Sequence, residues 1–356
     1  MLLPPHPLTR PSSSPQNQSM KLDVAILSTH LKEVETLAQA ADTAGFAALW
    51  TSETQHDPFL PLGIAALRTA RIQLGTAIAV AFARNPTSVA HLAWDLQAAS
   101  GGRLLLGLGT QVQAHIERRF GMPWAAPAAR LREFILAMRA VWAAWQQGER
   151  LNFRGEHYKL TLMAPFFNPG PIEHPDIPVY IAAVNAQMSY LAGELCQGLH
   201  VHPFHTTRTL REQLLPQVQA GLMQAGRQRS GITLAGSIFV VTGDTAAEIA
   251  AAREQVRSQI AFYASTPTYS KVMELHGWGE IRERLSSLAV RQRWNEMPAL
   301  ISDHMLTQFA VEGRPEEIPT LVKLRYVGLL DRVTFYLPFD PTQITRWRHW
   351  IEAFNE

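Results

Sequence analysis

Short apolar segments alternate with amphipathic segments through most of this 356-residue chain. An apolar run bounded by polar residues is typical of a buried strand, whereas apolar residues at three- and four-residue spacing are typical of a helix. This alternation predicts strands at residues 22–27, 48–53, 72–80 and 104–108. Helices are predicted between them at residues 31–44, 60–70 and 87–99, and Gly45 is placed to end the first of these.

The second half of the chain repeats the pattern less regularly. It predicts strands at 178–184, 199–204, 234–242 and 332–337, and helices at 187–195, 207–225, 245–262, 315–324 and 341–354. Strands that alternate with helices indicate right-handed βαβ units and a parallel sheet. Eight such strands close a barrel, so we predict an α/β fold of the (β/α)8 TIM-barrel type with insertions, whose site lies at the C-terminal strand ends.

Three stretches fall outside the alternation. Residues 1–20 are rich in proline and serine, and we expect a disordered tail, with Met20 a candidate start of translation. Residues 21–356 are expected to form one domain, in which the stretches near 150–177 and 265–306 are insertions.

Composition narrows the classes of function. Hydrophobic residues make up 47% of the chain and the net charge is only +2, so no nucleic-acid partner is expected. No apolar run approaches the roughly 20 residues of a membrane span, and no signal peptide is evident, so no membrane partner is expected. The single cysteine, Cys196, cannot form an internal disulfide, which favours the cytoplasm.

The predicted third and fourth strands end in small residues. Gly107 and Gly109 could suggest a dinucleotide-binding turn, but Val112 stands where the third glycine of that motif belongs. The alternatives are an ordinary tight turn and a clearance that lets a flat ligand approach the backbone. No Walker loop, nucleophile elbow or zinc-protease motif is present, which lowers the expectation of hydrolase chemistry.

Histidines lie near two of the expected strand ends. His56 follows the second strand close to Glu53 and Asp57, where it could exchange a proton near neutral pH or simply be a solvated loop residue. His200 and His202 alternate along the sixth strand and so face the same side. His-x-His with the nearby His205 is a weak metal signal without a carboxylate, so we expect polar contacts at the barrel mouth and no metal site.

Several motifs, in this order, resemble the bacterial luciferase-like superfamily of flavin- and deazaflavin-dependent enzymes. The most specific are GFAALWTSE at 45–53, LGTAI at 74–78, SGGRLLLGLG at 100–109 and FRGEHY at 153–158. Three further segments resemble its F420-dependent oxidoreductase branch, namely TQVQAHIERRF at 110–120, GPIEH at 170–174 and QIAFYASTP at 259–267. The resemblance extends from about residue 22 to residue 337.

This resemblance implies a (β/α)8 barrel that holds F420, or alternatively FMN, at its C-terminal mouth. It implies a non-prolyl cis peptide at Ala77–Ile78 against the cofactor ring, and it implies that His56 is the catalytic proton donor or acceptor. The residues that it places at the cofactor are Glu53, Thr76, Ala77, Ile78, Gly107, Gly109, Thr110, Gln111, Ala183, Val184, Asn185 and His202.

The chain departs from the family pattern at three places. A glutamate that some relatives carry after the fourth strand is absent from TQVQ at 110–113. A Gly and Arg after the fifth strand are replaced by AVNAQ at 183–187, and an Ala-Asp-Gly near the sixth by CQG at 196–198. Backbone amides at a helix N-terminus can bind a phosphate without that arginine.

The function implied is an F420-dependent oxidoreductase that transfers a hydride to or from a small organic substrate. Trp50, Phe59, Phe82 and Phe204 are expected at the mouth and favour a largely apolar substrate. The alternatives are an FMN-dependent two-component monooxygenase, which would need a flavin reductase as partner, and a non-catalytic flavin-binding protein. The resemblance is also compatible with a homodimer.

Overall fold

The computed structural model describes residues 20–26 and 30–356, where ten strands form one sheet and eight of these close into a parallel barrel. The predicted α/β TIM barrel is therefore confirmed. The barrel strands, in chain order, are β1 (Lys21–Ala25), β2 (Ala48–Thr51), β3 (Gln73–Thr76), β4 (Leu104–Gly109), β5 (Val179–Ala183), β6 (Gly198–Val201), β7 (Thr233–Val241) and β8 (Arg332–Phe335). The barrel closes where β8 pairs with β1. The expected tail at 1–19 and the expected end of the first strand at residue 27 lie outside the described residues.

Helices surround the barrel. They are α1 (Leu31–Ala44), α2 (Phe59–Arg68), α3 (Pro86–Ala99), α4 (Gln113–Arg118), α5 (Pro127–Gln147), α6 (Ala186–Leu195), α7 (Leu215–Gln224), α8 (Ala246–Ala264), α9 (Ser270–Leu275), α10 (Gly279–Val290), α11 (Asp303–Phe309), α12 (Ile318–Tyr326) and α13 (Ile344–Asn355). Gly45 ends α1 with a left-handed φ of 98°, as predicted. None of the helices that the structure describes is both long and apolar enough to cross a membrane.

The period-two alternation of each strand divides its side chains between the helices and the barrel interior. Outward-facing residues such as Leu49 and Leu74 belong to the main hydrophobic core between strands and helices. The interior has a small core of its own, made of Ala48, Trp50, Leu105, Tyr180 and Ala235. The barrel is thus packed inside as well as outside.

A buried ion pair lies in the barrel interior. Arg332 donates from Nε to Asp23 Oδ2 over 2.7 Å and from Nη2 to Oδ1 over 2.8 Å. Trp50 Nε1 also donates to Asp23 over 2.9 Å, and Arg332 Nη1 donates to Gln73 Oε1 over 3.0 Å. The charges on β1 and β8 are therefore paired and hydrogen-bonded, as burial of charge requires.

Two predicted elements are interrupted. The strand expected at 72–80 becomes β3 and a separate strand, Ala79–Val80, which pairs with β4 after the bulge at Ala77–Ile78. The helix expected at 207–225 contains a π-helical segment, Leu210–Leu214, before α7. Pro216 explains this second interruption, because it cannot donate a backbone hydrogen bond to the preceding turn.

The two stretches expected as insertions differ in structure. The first contains a short antiparallel pair, Phe153–Arg154 with Lys159–Leu160. The second contains α9 and α10 and contributes to a separate hydrophobic cluster with Phe204, Phe239 and Phe309. This cluster places residues 265–275 beside the C-terminal ends of β6 and β7.

Candidate active site at the barrel mouth

Small side chains line the C-terminal end of the barrel, its mouth. Ala25, Ala77, Ala182 and Ser237 face inward by strand alternation and keep part of their surface exposed. Beneath them the rings of Trp50, Tyr180 and His200 pack together, with centroids 4.7 Å apart for Trp50 and His200 and 5.3 Å for Tyr180 and His200. The mouth therefore has an aromatic floor with small, partly exposed side chains above it.

Thr76 and Gly107 bind each other at this floor. The Thr76 hydroxyl donates to the Gly107 carbonyl over 2.6 Å and accepts from the Gly107 amide over 3.0 Å. A Cβ on Gly107 would lie 1.8 Å from the Thr76 carbonyl oxygen and 2.7 Å from His200 Nε2. The space that Gly107 leaves open is thus filled by protein atoms, and the buried Thr76 side chain joins β3 to β4.

The peptide bond between Ala77 and Ile78 is cis, as the family resemblance implied. The Ala77 amide donates to the Thr51 carbonyl over 2.7 Å, and the Ile78 carbonyl accepts from the Glu53 amide over 3.2 Å. The Ile78 side chain packs against Gly109 and fills the space that a larger residue would need. A Cβ built on Gly109 would lie only 2.7 Å from Ile78 Cδ1. Both residues of the bulge are partly exposed at the mouth.

Glu53 is held by Arg84, a residue that sequence analysis missed. The Glu53 carboxylate accepts from the Val80 amide over 2.7 Å and from Arg84 Nη1 over 2.6 Å. Arg84 Nη2 also donates to Asp57 over 2.7 Å, and the Glu53 side chain is only 7% exposed. Glu53 therefore holds the segment after the bulge through the Val80 amide. Arg84 connects that segment to the loop that contains His56, because it binds both Glu53 and Asp57.

His56 lies exposed in the loop between β2 and α2. Both sides of this loop are anchored, because Arg84 binds Asp57 and Arg119 Nη2 donates to the Thr54 carbonyl over 2.5 Å. Asp57 also accepts from the first amide of α2 over 2.8 Å. The structure thus positions the backbone around His56, and its catalytic role stays a prediction.

Thr110 and Gln111 form the turn after β4. Gln111 adopts a left-handed φ of 61°, which is uncommon for a residue other than glycine. The Thr110 hydroxyl donates to the Gln111 carbonyl over 3.0 Å, and the Gln111 side chain accepts from the Val112 amide over 3.0 Å. Both residues are partly exposed at the mouth, beside the bulge, and their contact with a cofactor stays a prediction.

A cavity of about 290 Å³ opens beside the mouth, at the ends of β5 and β6. It brings together Ala183, Val184, Asn185 and His202, four of the residues predicted at the cofactor. The Asn185 side chain caps α6 by accepting from the Met188 amide over 3.0 Å, and its backbone carbonyl accepts from the Ser189 amide over 3.1 Å. The first two amides of the helix, at residues 186 and 187, have no acceptor in a preceding turn. The cavity also contacts Lys271, from the second insertion.

The three neighbouring histidines have different surroundings. His200 lies in the aromatic floor, whereas His202 stacks on Tyr269 with ring centroids 4.5 Å apart. His205 is buried, and its Nδ1 lies 2.7 Å from the His202 carbonyl oxygen, so this nitrogen carries the proton. Sequence analysis missed Tyr269, because only the packing of the insertion brings it to β6.

Two aromatic residues expected at the mouth lie elsewhere. Phe59 and Phe82 are buried in the main core, where Arg84 lies over the Phe59 ring and Arg130 over the Phe82 ring. They face the helical layer, so their predicted place at the mouth is wrong. Trp50 is buried in the floor, and Phe204 is buried but contacts the cavity.

These histidines should make stability fall on acidification. Burial lowers the pKa of His200 and of His202 to about 3, and that of His205 to about 4. An unfolded histidine binds a proton below about pH 6.5, so the unfolded chain then holds more protons than the folded one. We expect the free energy of unfolding to fall from about pH 6.5 to about pH 4, by up to ~1.4 kcal/mol per pH unit for each histidine.

Urea unfolding at stepped pH measures this slope. His202→Gln should make it shallower, whereas the same change at the exposed His349 should leave it unaltered. A stability that stays constant between pH 7 and pH 5 would contradict the expectation.

Comparisons with known proteins agree with this architecture. The sequence model of the luciferase-like monooxygenase family matches residues 7–331 of the chain. An uncharacterized protein of Mycobacterium tuberculosis is 49% identical over 303 residues, covering 83% of this chain and 89% of that protein. A 5,10-methylenetetrahydromethanopterin reductase of Archaeoglobus fulgidus is 29% identical over 296 residues, covering 80% of this chain and 83% of that protein.

A solved structure shows the same fold. The coenzyme F420-dependent tetrahydromethanopterin reductase of Methanopyrus kandleri superposes with a TM-score of 0.77 at 20% sequence identity. The superposition covers 93% of this chain and 97% of that one.

Proposed function

Because the chain belongs to the luciferase-like monooxygenase family, we propose that it is an oxidoreductase that transfers a hydride between coenzyme F420 and a small, largely apolar organic substrate. The relative from Archaeoglobus fulgidus is a reductase, and the superposed structure is that of an F420-dependent reductase. The relative supports the reductase branch of the family, whereas the superposed structure supports the barrel fold that both branches share.

The lining of the mouth is the observation that carries the proposal. Ala25, Ala77, Ala182 and Ser237 leave room at the strand ends, and the floor below them is aromatic. Such a space fits a flat ring system, and most pockets for such ligands are apolar with a few polar groups. The adjoining cavity supplies donors for a phosphate, namely the first amides of α6 and the Lys271 ammonium.

The residues of the chain then have separate tasks. F420, when bound, supplies the carbon that gives or accepts the hydride, and orientation and proton transfer are left to the protein. The bulge at Ala77–Ile78 would contact the ring, and Glu53 and Arg84 hold the segment that follows it. His56 would exchange the proton, since its loop follows the C-terminal end of β2 and an imidazole can act as an acid or a base.

A binding panel tests the proposal. Purified protein is titrated with F420, FMN and NADPH, and binding is followed by cofactor or protein fluorescence. We expect F420 to bind at micromolar concentration and more tightly than FMN. Good FMN binding without F420 binding would refute the F420 assignment and favour the monooxygenase, whose oxygen-dependent NADH oxidation requires both FMN and a reductase.

A further inference from the structure

The hydrogen bonds of His202 define its protonation and tautomer. The Phe204 amide donates to His202 Nδ1 over 3.1 Å, so this nitrogen carries no proton. Burial lowers the pKa of the ring to about 3, which keeps it neutral at physiological pH. A neutral imidazole with an accepting Nδ1 carries its proton on Nε2.

This tautomer orients the hydroxyl of Tyr269. His202 Nε2 lies 2.9 Å from Tyr269 Oη, and because Nε2 carries the proton, it donates and the phenolic oxygen accepts. The Tyr269 O–H must then point away from His202. In residues 20–26 and 30–356 the Tyr269 hydroxyl has no second hydrogen-bond partner, and Tyr269 contacts the cavity beside the mouth.

A second tyrosine, near the C-terminal end of α8, is arranged differently. The Tyr263 hydroxyl lies 2.9 Å from that of Tyr336, so these two hydroxyls pair within the protein. Tyr263 also packs against His202, with ring centroids 4.7 Å apart. Tyr263 thus lies close to Tyr269 but does not line the cavity, which makes it a matched control.

The other polar groups of the cavity favour an anion. Lys271 and the first amides of α6 are donors, and the carboxylate of Glu212 is paired with Arg208 Nε at 3.0 Å. Burial raises the pKa of Tyr269 to about 12, so its hydroxyl keeps its proton throughout the physiological range. Phosphate accepts hydrogen bonds from donors of this kind and is stabilised at a helix N-terminus.

We propose that Tyr269, oriented by neutral His202, is a phosphate-binding residue of this cavity. The phosphate is either that of the cofactor side chain or a free phosphate group, which offers the same acceptor oxygens. The first case rests on the proposed function, whereas the second does not.

Binding measurements on Tyr269→Phe and Tyr263→Phe test the proposal. Tyr269→Phe should weaken F420 binding about three- to tenfold, the effect of one hydrogen bond, whereas Tyr263→Phe should change it less than about twofold. A deazaflavin without the phosphate should bind both variants as it binds the unmodified protein. Equal losses in the two variants, or an equal loss for the phosphate-free ligand, would overturn the proposal.

Nuclear magnetic resonance of protein with ¹⁵N-labelled histidine provides a readout that needs no cofactor. The His202 ring, assigned by its loss in His202→Gln, should show the Nε2–H tautomer at pH 7, and inorganic phosphate should shift this signal except in Tyr269→Phe. An Nδ1–H tautomer, or no response to phosphate, would refute the role of Tyr269. If the unmodified protein binds neither F420 nor FMN, the proposed function fails, and the phosphate response alone decides this inference.

Discussion

Replacing Arg332 with methionine is expected to lower the free energy of unfolding by about 3–5 kcal/mol, because it leaves Asp23 as an unpaired carboxylate inside the barrel. The two side chains are only 4% and 1% exposed, so water cannot replace the lost partner. Arg332 also lies over the Trp50 ring, with Cζ 5.4 Å from the ring centroid. Urea unfolding followed by circular dichroism measures the loss.

A second ion pair provides the control. Arg346 binds Asp244 over 2.5 Å, but the Asp244 side chain is 62% exposed. Arg346→Met should therefore cost less than about 1 kcal/mol, as exposed pairs do. In the double variant Asp23→Asn/Arg332→Met the buried charge is absent, and part of the stability should return. Equal losses for Arg332→Met and Arg346→Met would show that burial of the pair is unimportant.

Replacing Ala182 with phenylalanine is expected to weaken F420 binding at least ~100-fold, about 3 kcal/mol, because the ring would occupy the space above the aromatic floor. Ala182 faces the mouth, and its Cβ lies 3.7 Å from the position of a Cβ built on Gly109. The strand pairing of β5 is made by backbone atoms, so the barrel should still form. Fluorescence titration and a thermal melt measure both effects.

Ala98→Phe is the matched control, since Ala98 is exposed near the C-terminal end of α3. It should leave both cofactor binding and the melting temperature almost unchanged. Ala182→Val, a smaller change, should give an intermediate loss of affinity. If Ala182→Phe folds and binds F420 as the unmodified protein does, the mouth is not the cofactor site.

Local patterns were sufficient to predict the fold because barrel strands are buried on both faces. Strand β7 shows this, because its apolar pattern predicts a strand at residues 234–242 and the structure has Thr233–Val241. The predicted boundaries were wrong for two elements. One contains the bulge at Ala77–Ile78, and the other contains Pro216, which has no backbone N–H to donate. Residues 72–80 read as one apolar strand, yet the bulge at Ala77–Ile78 divides them.

The candidate site was predictable only in part. The positions at strand ends, such as Ala77, Gly109 and Ala183, follow from the alternation and from the family resemblance. Phe59 was misplaced, because apolar residues near a strand end can face either the mouth or the helices. Arg84 and Tyr269 were missed, since each acts on a residue distant in sequence, Glu53 and His202 respectively.

The sequence by itself determined the barrel, since the periodicity of apolar residues is a local property that each segment carries independently. It also determined which strand ends carry small residues, and thus where a flat ligand could approach. Only the tertiary structure decided which polar side chains meet there. The Glu53–Arg84 pair, the Asp23–Arg332 pair and the His202–Tyr269 contact join segments far apart in the chain, and their geometry exists only once the barrel has closed.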